Sequence, residues 1–476
     1  MSTTEQTSAS KRIAALLDDN SFVEIGGFVT ARNTDFNLQA KQAPADGVVT
    51  GYGTVEGNLV YVYSQDASVL GGTVGEMHAK KIVKLYDLAM KTGAPVVGLI
   101  DCAGLRLEEA TDALNGFGEI YMSQAMASGV IPQITAVFGS CGGGMAVSAA
   151  MSDFTFMEAK NAKLFVNSPN TLDENYVSKC DTAAADFQSK EAGNVDVMGS
   201  EDEILSKMRE LITILPANNE DNMSYGECED DLNRVCESIE NGVADPAITL
   251  GMISDDGYVF ETKSSYAKDI VTGFIRLNGT TVGAVANRSV LFDEEGKEVE
   301  KFDGRMSAEG AQKAADFVNF CDAFEIPVLT LTNVNGYEAT KCQEKKLAKA
   351  VASLNYAFAN ATVPKVNVVV GNAYGSAYVT MNSKAIGADV VYAWTDATIG
   401  MMDANLAAKI ICENPDEVGA KAAEYQELQS SALAAAKRGY VDDIITPADT
   451  RKRVIAAFEM LFTKREDRPS KKHGTI

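Results

Sequence analysis

The chain of 476 residues repeats itself, and this duplication limits the folds open to it more than any other feature. Five proline and glycine positions recur in register, each pair 232 residues apart. The pairs are Pro95 and Pro327, Gly104 and Gly336, Pro132 and Pro364, Gly139 and Gly371, and Gly143 and Gly375. Matches of this kind at one fixed offset indicate a gene-level duplication, so the sequence predicts two homologous domains in tandem.

Each copy carries the same succession of patterns. A helical stretch leads into a proline and an apolar strand, as in "PVVGLIDCAG" and "PVLTLTNVNG". A second helix, proline and strand follow, and the second strand runs into a glycine turn. Hairpins with turns at Gly57 and Gly279 precede both copies. Strands rich in β-branched residues that alternate with helices predict an α/β fold.

The domain limits follow from composition. We place the first domain at residues 1–230 and the second at 231–476, because the acidic, turn-rich stretch 217–231 has the character of a linker. The charged stretch 292–304 interrupts the second copy, and the sequence predicts an exposed loop there.

The glycine-rich stretch "FGSCGGGM" directly follows the apolar run 134–138 and has three possible uses. A nucleophile elbow would use Ser140 or Cys141, but their counterparts Asn372 and Ala373 could not serve. A phosphate loop is disfavoured by the spacing, which matches neither common motif. What the copies share is bare backbone, which suits an oxyanion hole. Close packing of helix on strand remains the alternative.

Composition excludes several functions. The formal net charge of -24 offers no basic stripe for nucleic acid. His78 and His473 are the only two histidines, and the eight cysteines form no C-x-x-C pair, so we expect neither a histidine triad nor a metal site. The polar N-terminus and the lack of a long apolar run predict a cytoplasmic protein with reduced thiols.

Several longer stretches carry a family resemblance. They include "KRIAALLDDNSFVEI", "ASGVIPQITAVFGSCGGG", "NAYGSAYVTMNSKAIGADVVYAW" and "RGYVDDIITPADTRKRV". Together they resemble the carboxyltransferase subunits of biotin-dependent acyl-CoA carboxylases and decarboxylases, of the propionyl-CoA carboxylase β type, within the crotonase superfamily. The resemblance spans nearly the whole chain. It implies two crotonase-like domains, each a ββα spiral, in tandem.

The resemblance also implies an activity and partners. Such an enzyme moves carboxyl between biotin on a separate carrier protein and the α-carbon of a short acyl-CoA, acetyl or propionyl. Two oxyanion holes stabilise the thioester enolate and the ureido oxyanion, and biotin itself can take the α-proton. The first domain would bind the acyl-CoA and the second the biotin. Biotin carboxylase would be a separate partner, and the chain would form a hexamer built from dimers.

Site residues follow from the same resemblance. Backbone amides of Gly143, Gly144 and Met145 would form the acyl-CoA hole, and those of Ser376 and Ala377 the biotin hole. The remaining predicted substrate contacts are Gly71, Gly72, Ala103, Gly104, Leu105 and Arg106 in the first domain, and Gly336, Gly375 and Val379 in the second. Arg106 could instead form a structural ion pair. Lys80, Lys81 and Lys84 could meet CoA phosphates or could lie on a solvated helix face.

Three readings of the function stay open at this point. The first is the carboxylase subunit. The second is the α subunit of a sodium-pumping decarboxylase of methylmalonyl-CoA or a related thioester, which would work with a membrane subunit. The third is a scaffold that has lost the biotin site, because residues 337–355 depart from the family pattern. Val379 stands where the family often has an acidic residue, so the acyl preference is open.

Overall fold

The structure of the chain is a computed structural model that describes residues 7–32, 43–221, 225–293 and 295–476. Contacts divide the chain into two compact units, Met1–Ser224 and Tyr225–Ile476. The sequence places the boundary slightly later, near residue 230, within a stretch whose residues 222–224 lie outside the described part. The assignment of one unit to each substrate stays a prediction.

The first unit is built from strands β1–β8 and helices α1–α6. The strands are β1 Val23–Glu24, β2 Val48–Val55, β3 Asn58–Gln65, β4 Val96–Cys102, β5 Gln133–Gly142, β6 Phe154–Glu158, β7 Lys163–Phe165 and β8 Val197–Gly199. The helices are α1 Ser8–Leu16, α2 Glu76–Thr92, α3 Ala110–Ala127, α4 Gly144–Ala150, α5 Ala185–Lys190 and α6 Glu201–Ile214.

The second unit is built from strands β9–β20 and helices α7–α15. The strands are β9 Val259–Thr262, β10 Ile270–Leu277, β11 Thr280–Asn287, β12 Val290–Phe292, β13 Glu298–Lys301, β14 Arg305–Met306, β15 Val328–Val334, β16 Gly336–Tyr337, β17 Lys365–Tyr374, β18 Val390–Trp394, β19 Thr398–Gly400 and β20 Asp443–Ile445. The helices are α7 Pro246–Ile253, α8 Ala308–Ala323, α9 Lys341–Glu344, α10 Leu347–Asn360, α11 Gly375–Thr380, α12 Ala404–Ile411, α13 Val418–Tyr425, α14 Ala432–Lys437 and α15 Thr450–Leu461.

Each unit's main sheet has the same topology. In the described residues, the first sheet runs β1-β2-β3-β4-β5-β6-β8, with β7 also paired to β5. The second runs β9-β10-β11-β15-β17-β18-β20, with β19 also paired to β17. The opening hairpins are antiparallel and the later strands are parallel. Helices α2 and α3 contribute buried apolar residues to the first unit's core. This agreement shows in three dimensions the duplication that the sequence predicts.

The hairpin turns explain why both sheets begin alike. Glu56 and Gly57 have φ of 48° and 80°, and Asn278 and Gly279 have φ of 52° and 75°. Two successive positive φ angles define the turn whose twist matches that of paired strands. These turns therefore fix the register of β2 on β3 and of β10 on β11.

A buried lysine is also repeated. Lys81 on α2 donates from Nζ to the carbonyl oxygens of Ala45, at 2.8 Å, and Val48. Its counterpart Lys313 on α8 donates to three carbonyl oxygens, those of residues 263, 266 and 270, each at 2.9 Å. Burial lowers the pKa of both lysines to about 8. Each ammonium thus links its helix to the segment that leads into the first long strand of its sheet.

The repeat offset changes after the hairpins, and the structure shows where. The hairpins are related by 222 residues, whereas the stretch from Lys81 to Gly143 is related to Lys313 to Gly375 by 232. Strands β12 and β13 pair within the extra length as an antiparallel hairpin, with Val290, Leu291 and Phe292 opposite Lys301, Glu300 and Glu298. The predicted stretch 292–304 is exposed along β13 as expected, but Glu298–Lys301 form a strand there instead of an irregular loop. Among the helices of the described ranges, none is long and apolar enough to cross a membrane.

The first amide of β5 and that of β17 each donate to an aspartate, and these two equivalent aspartates have different surroundings. The amide of Gln133 donates to Asp153 Oδ2 at 2.7 Å, and that of Lys365 to Asp389 Oδ2 at 2.8 Å. Asp389 also accepts from Lys464 Nζ at 2.8 Å. Burial raises the pKa of Asp153 to about 7, and the neighbouring carboxylate of Asp196 adds to this rise.

Because only Asp389 of the two has a lysine partner in the described part of the chain, we expect opposite effects on stability when each aspartate is replaced by asparagine. Because the pKa of Asp153 is higher in the folded state than in the unfolded chain, stability is lost as pH rises from about 4 to about 7. We therefore expect the free energy of unfolding of Asp153→Asn to rise by about 1–3 kcal/mol relative to that of the parent chain between these two pH values. Asp389→Asn should lose stability near pH 7 because it breaks the ion pair. Denaturant midpoints at pH 5 and pH 8 measure both, and a pH-independent difference for Asp153→Asn would contradict the assignment.

Candidate active site

The glycine turn begins later than the sequence suggests. The predicted strand 134–138 continues to Gly142, so Gly139 lies inside β5 rather than in a turn. Register shifts beside Asp101, on the neighbouring strand β4. A Cβ on Gly139 would lie 2.0 Å from Asp101 Oδ1, so the missing side chain makes room for that carboxylate. Close packing therefore accounts for this glycine, but against the neighbouring strand and not against a helix as the alternative had it.

The second unit repeats this arrangement with an amide. Register shifts beside Asn333 on β15, and a Cβ on Gly371 would lie 2.5 Å from Asn333 Oδ1. That oxygen accepts the backbone N–H of Asn372 at 3.1 Å. In both units the second strand has two more residues than the first across this irregularity, and the glycine turn follows it.

The turns themselves are Gly143 and Gly375. Their φ angles are 61° and 62°, in the left-handed region that favours glycine. No atom lies within 4 Å of a Cβ built on Gly143, and the nearest to one on Gly375 is a carbonyl oxygen at 3.4 Å. Each turn is followed at once by a short helix, α4 or α11. Open space and bare backbone therefore coincide at Gly143.

The predicted amide donors differ in availability. The N–H of Gly143 donates to the carbonyl of Phe165 at 2.9 Å, so this member of the predicted set is occupied. Gly144 and Met145 begin α4, where a helix offers no acceptor for its first amides. The hydroxyl of Tyr121 donates to the Gly144 carbonyl at 2.6 Å and holds the turn. Ser376 and Ala377 occupy the corresponding first turn of α11.

The loop after β4 lies beside the first turn. A Cβ on Gly104 would have the carbonyl oxygen of Gly142 as its nearest neighbour, at 3.7 Å. Ala103 donates its N–H to the carbonyl of Gly71 at 3.0 Å, and Leu105 forms a β-bridge with Val74. The structure thus brings the predicted residues Gly71, Gly72, Ala103, Gly104 and Leu105 together in one neighbourhood.

Arg106 lies in the same loop but is turned inward. Its side chain is 1% exposed. Nη1 contacts Asp46 Oδ1 at 2.5 Å and Glu109 Oε1 at 2.7 Å, while Nη2 donates to the Thr73 carbonyl at 2.7 Å. The geometry therefore favours the structural ion pair over the predicted substrate contact, because the guanidinium is already occupied by buried partners.

The predicted phosphate-binding lysines also have protein partners. Lys80 pairs with Glu76 at 2.6 Å and Lys84 with Asp87 at 3.0 Å, both at the surface of α2. Lys81 is buried and binds backbone carbonyls, which neither alternative foresaw.

His78 is buried and unsuited to acid–base chemistry. Its Nδ1 lies 2.9 Å from the Asp46 carbonyl oxygen and its Nε2 lies 3.1 Å from Gln65 Nε2. Burial, with the nearby Arg106 charge, lowers the pKa of His78 to about 3. The ring is therefore neutral at physiological pH. Cys141 is also buried, which raises the pKa of its thiol and disfavours a nucleophile elbow.

The second unit has a cleft at its glycine turn. The cleft has a volume of about 390 Å³ and is lined by four predicted residues, Gly336, Gly375, Ser376 and Ala377. The remaining lining residues are Asn335, Tyr337, Asn372, Tyr374, Met401, Met402, Asp403 and Leu406. The cleft is of the size that holds a small organic ligand. Val379, on the same helix, is not one of its lining residues in the described chain.

Sequence reasoning missed most of the side chains that line this cleft. Met401, Met402 and Leu406 come from a segment outside the repeated motifs, so no register signal marks them. Asn335 and Asn372 could have been found, because their counterparts in the first copy are Ala103 and Ser140. A change from small to amide side chains at two positions beside a repeated turn is such a signal.

The chain is similar to a known protein family over almost its whole length. A family model of the carboxyl transferase domain matches residues 4–476. The propionyl-CoA carboxylase beta chain of Roseobacter denitrificans is 41% identical, over 98% of this chain and 93% of its own. The methylmalonyl-CoA decarboxylase subunit alpha of Veillonella parvula is 39% identical, over 98% and 92%.

A solved structure agrees as well. A crystal structure of transcarboxylase 12S with hydrolysed methylmalonyl-coenzyme A bound superimposes with a TM-score of 0.92 at 36% identity, over 98% of this chain and 92% of that one. These matches confirm the resemblance stated from the sequence, together with the α/β fold of two tandem crotonase-like domains.

The ion pair of Arg106 leads to a stability prediction. We expect Arg106→Met to lower the free energy of unfolding by about 3–5 kcal/mol, because Asp46 and Glu109 would be left buried without their cation. The deficit should grow as pH rises, since the unpaired carboxylates must take up protons to remain buried.

Arg32 is the matched control. It pairs with Glu76 at 2.5 Å but is 42% exposed, so Arg32→Met should change stability by no more than about 1 kcal/mol. Thermal and denaturant unfolding at pH 6 and pH 8 measure both variants. Parent-like stability of Arg106→Met would contradict the structural role.

Proposed function

Because the chain belongs to the carboxyl transferase domain family, we propose that it moves carboxyl between biotin on a separate carrier protein and the α-carbon of a short acyl-CoA, acetyl or propionyl. The observation that carries this proposal is the duplicated strand–glycine turn–helix, which places one set of first-turn amides in each unit. A reaction that develops two anions needs two such sets.

In the first unit, Gly144 and Met145 are the proposed donors to the thioester oxygen. As the α-carbon becomes an enolate, negative charge builds on that oxygen, and preorganised amides stabilise it more than they stabilise the substrate. The neighbouring loop, with Ala103 and Gly104, would lie along the acyl-CoA. Loss of one such donor costs about 2.7–4 kcal/mol in the transition state.

In the second unit, Ser376 and Ala377 are the proposed donors to a ureido oxygen. Biotin on its carrier would supply the ring nitrogen that carries or accepts the carboxyl group. The cleft of about 390 Å³ in front of these amides supports the fit, because it combines bare backbone at Gly336 and Gly375 with apolar walls. The proposed role of these residues is to hold the ring and stabilise charge on its oxygen.

Proton transfer does not use imidazole in this proposal. The ring of His78 is buried and neutral, and His473 lies in the exposed C-terminal segment. The chain's contribution is therefore electrostatic and positional.

Assembly is proposed from the structural relative. The transcarboxylase 12S structure is described as a hexamer. We propose the same for this chain, built from dimers in which the first unit of one subunit faces the second unit of another.

A second function is favoured by a specific observation. The decarboxylase alpha subunit of Veillonella parvula matches almost as well as the carboxylase beta chain. The same amide sets would serve if carboxyl passed from a methylmalonyl-type thioester to biotin. Purification with a biotin carboxylase would favour the first function, and purification with a membrane decarboxylase subunit the second.

The contacts of the divergent stretch 337–355 argue against the hypothesis of a non-catalytic scaffold. Tyr337 and Asn355, near its two ends, both hydrogen-bond to Thr380 Oγ1 on α11, at 3.1 and 3.2 Å. Thr380 in turn donates to the Ser376 carbonyl at 3.0 Å. The altered residues therefore brace the helix that carries the proposed biotin-side amides.

The decisive assay is decarboxylation of malonyl-CoA and methylmalonyl-CoA by the purified chain, with and without free biotin. We expect loss of carboxyl that depends on biotin, because a ring nitrogen of biotin accepts the group while the second unit's amides stabilise charge on the ureido oxygen. Loss without biotin would leave only the acyl-CoA half of the proposal. No activity with either thioester, even with a biotinylated carrier, would favour the scaffold.

The Ser376 amide offers a sharper test. Ser376→Pro removes one N–H in the first turn of a helix, where proline is tolerated. We expect biotin-dependent turnover to fall by about 10²–10³-fold, as for other oxyanion-hole donors. Ser376→Gly is the control, because it keeps the amide and should keep activity. Equal activity of the two variants, with equal thermal midpoints, would exclude this amide from the reaction.

A further inference from the structure

Three side chains at the rim of the second unit's cleft form one hydrogen-bonded chain. Thr398 Oγ1 donates to Asn372 Oδ1 at 2.7 Å, and Asn372 Nδ2 donates to Asn335 Oδ1 at 2.8 Å. Asn335 Nδ2 donates to the carbonyl of Asp303 at 2.7 Å, just after the inserted hairpin β12–β13. Below, Asn335 and Asn372 are called the amide pair.

The fold does not require the amide pair. The counterparts in the first unit are Ala103 and Ser140, and Ser140 pairs with Lys163 as Asn372 pairs with Thr398. The first unit still forms the same strand bulge, glycine turn and helix. Two amides have therefore been placed at this rim for a reason other than backbone geometry.

The amide pair retains unused hydrogen-bonding capacity. A carboxamide has two donor hydrogens and two acceptor lone pairs. Among the described residues, the bonds given above use one donor hydrogen and one acceptor lone pair of each side chain. Asn335 and Asn372 therefore each keep one donor hydrogen and one acceptor lone pair. The charged residue of the cleft, Asp403, is directed to its own helix, because it accepts the N–H groups of Asn405 and Leu406.

We propose that the amide pair is the specificity determinant for a cyclic urea in this cleft. The inference rests on the proposed function and extends it to this chain's own side chains. A cyclic urea presents an N–H and a carbonyl oxygen side by side, which matches an acceptor on Asn335 and a donor on Asn372. Met401, Met402 and Leu406, which also line the cleft, would cover the apolar remainder of the ligand.

The test copies the first unit's residues into the second. Asn335→Ala and Asn372→Ser are made in the full chain, and free biotin is titrated by ligand-observed NMR. Each variant should bind biotin about tenfold more weakly, the effect of one lost hydrogen bond of about 1.4 kcal/mol. The KM for biotin should rise by the same factor in the decarboxylation assay, while the KM for the thioester stays unchanged.

Desthiobiotin, which keeps the urea ring but lacks the thioether ring, separates two causes. If the amide pair reads the urea, both ligands lose the same factor. A loss confined to biotin would overturn the inference, because it would assign the contact to the sulfur-containing ring. Unchanged biotin affinity in both variants would overturn it as well.

One more variant and the parent chain complete the experiment. Asn372→Asp has the same shape and keeps the acceptor for Thr398 but lacks the donor, so it should weaken biotin binding even if the smaller variants unfold. The parent chain is measured in parallel. Absence of biotin-dependent decarboxylation by the parent would overturn the proposed function itself, whereas an active parent with parent-like variants would overturn only the amide pair.

Discussion

The site depends on a steric constraint between two neighbouring parallel strands. Asp101 and Asn333 each lie opposite a bulge in the second strand, and each needs a position without a Cβ opposite it. Gly139 and Gly371 provide that position. In both units the glycine turn follows this bulge, and in the first unit Gly104, in the loop after the first strand, lies beside the carbonyl of Gly142. A side chain at Gly139 or Gly371 would collide with Asp101 or Asn333, respectively.

The two units share this backbone but differ in the side chains that surround the glycine turn. The first keeps small residues, Ala103 and Ser140, beside the turn. The second places neutral amides at the corresponding rim and opens a cleft in front of the turn. Duplication explains this division, since the bulge and turn are maintained by backbone and glycine alone. Side chains around them are then free to differ with the ligand.

Much of the fold could be predicted from the sequence because its signals are local. The paired prolines and glycines, the apolar strands and the Asn278–Gly279 turn each predict structure from neighbouring residues. The misplacement of Gly139 has a physical reason, since its contact with Asp101 depends on strand pairing across the sheet. The roles of Arg106 and Lys81 likewise depend on partners far away in sequence. The cleft was out of reach for the same reason, because Met401 and Leu406 approach Gly375 only after folding.

The repeated buried lysines have a consequence for chemical modification. Lys81 and Lys313 are enclosed by backbone carbonyls, so a reagent that acylates amines reaches them only when the surrounding unit opens. Once exposed, either side chain regains the ordinary lysine pKa of about 10.4 and reacts as a surface lysine does, so the rate of opening sets when it becomes acylated. Lys81 and Lys313 lie at equivalent places, one in each unit, and Lys365 of the second unit is enclosed in the same way by the carbonyls of Phe358 and Ala361. Timed acylation followed by peptide mass analysis would therefore record the opening of the two units separately, within a single unlabelled chain.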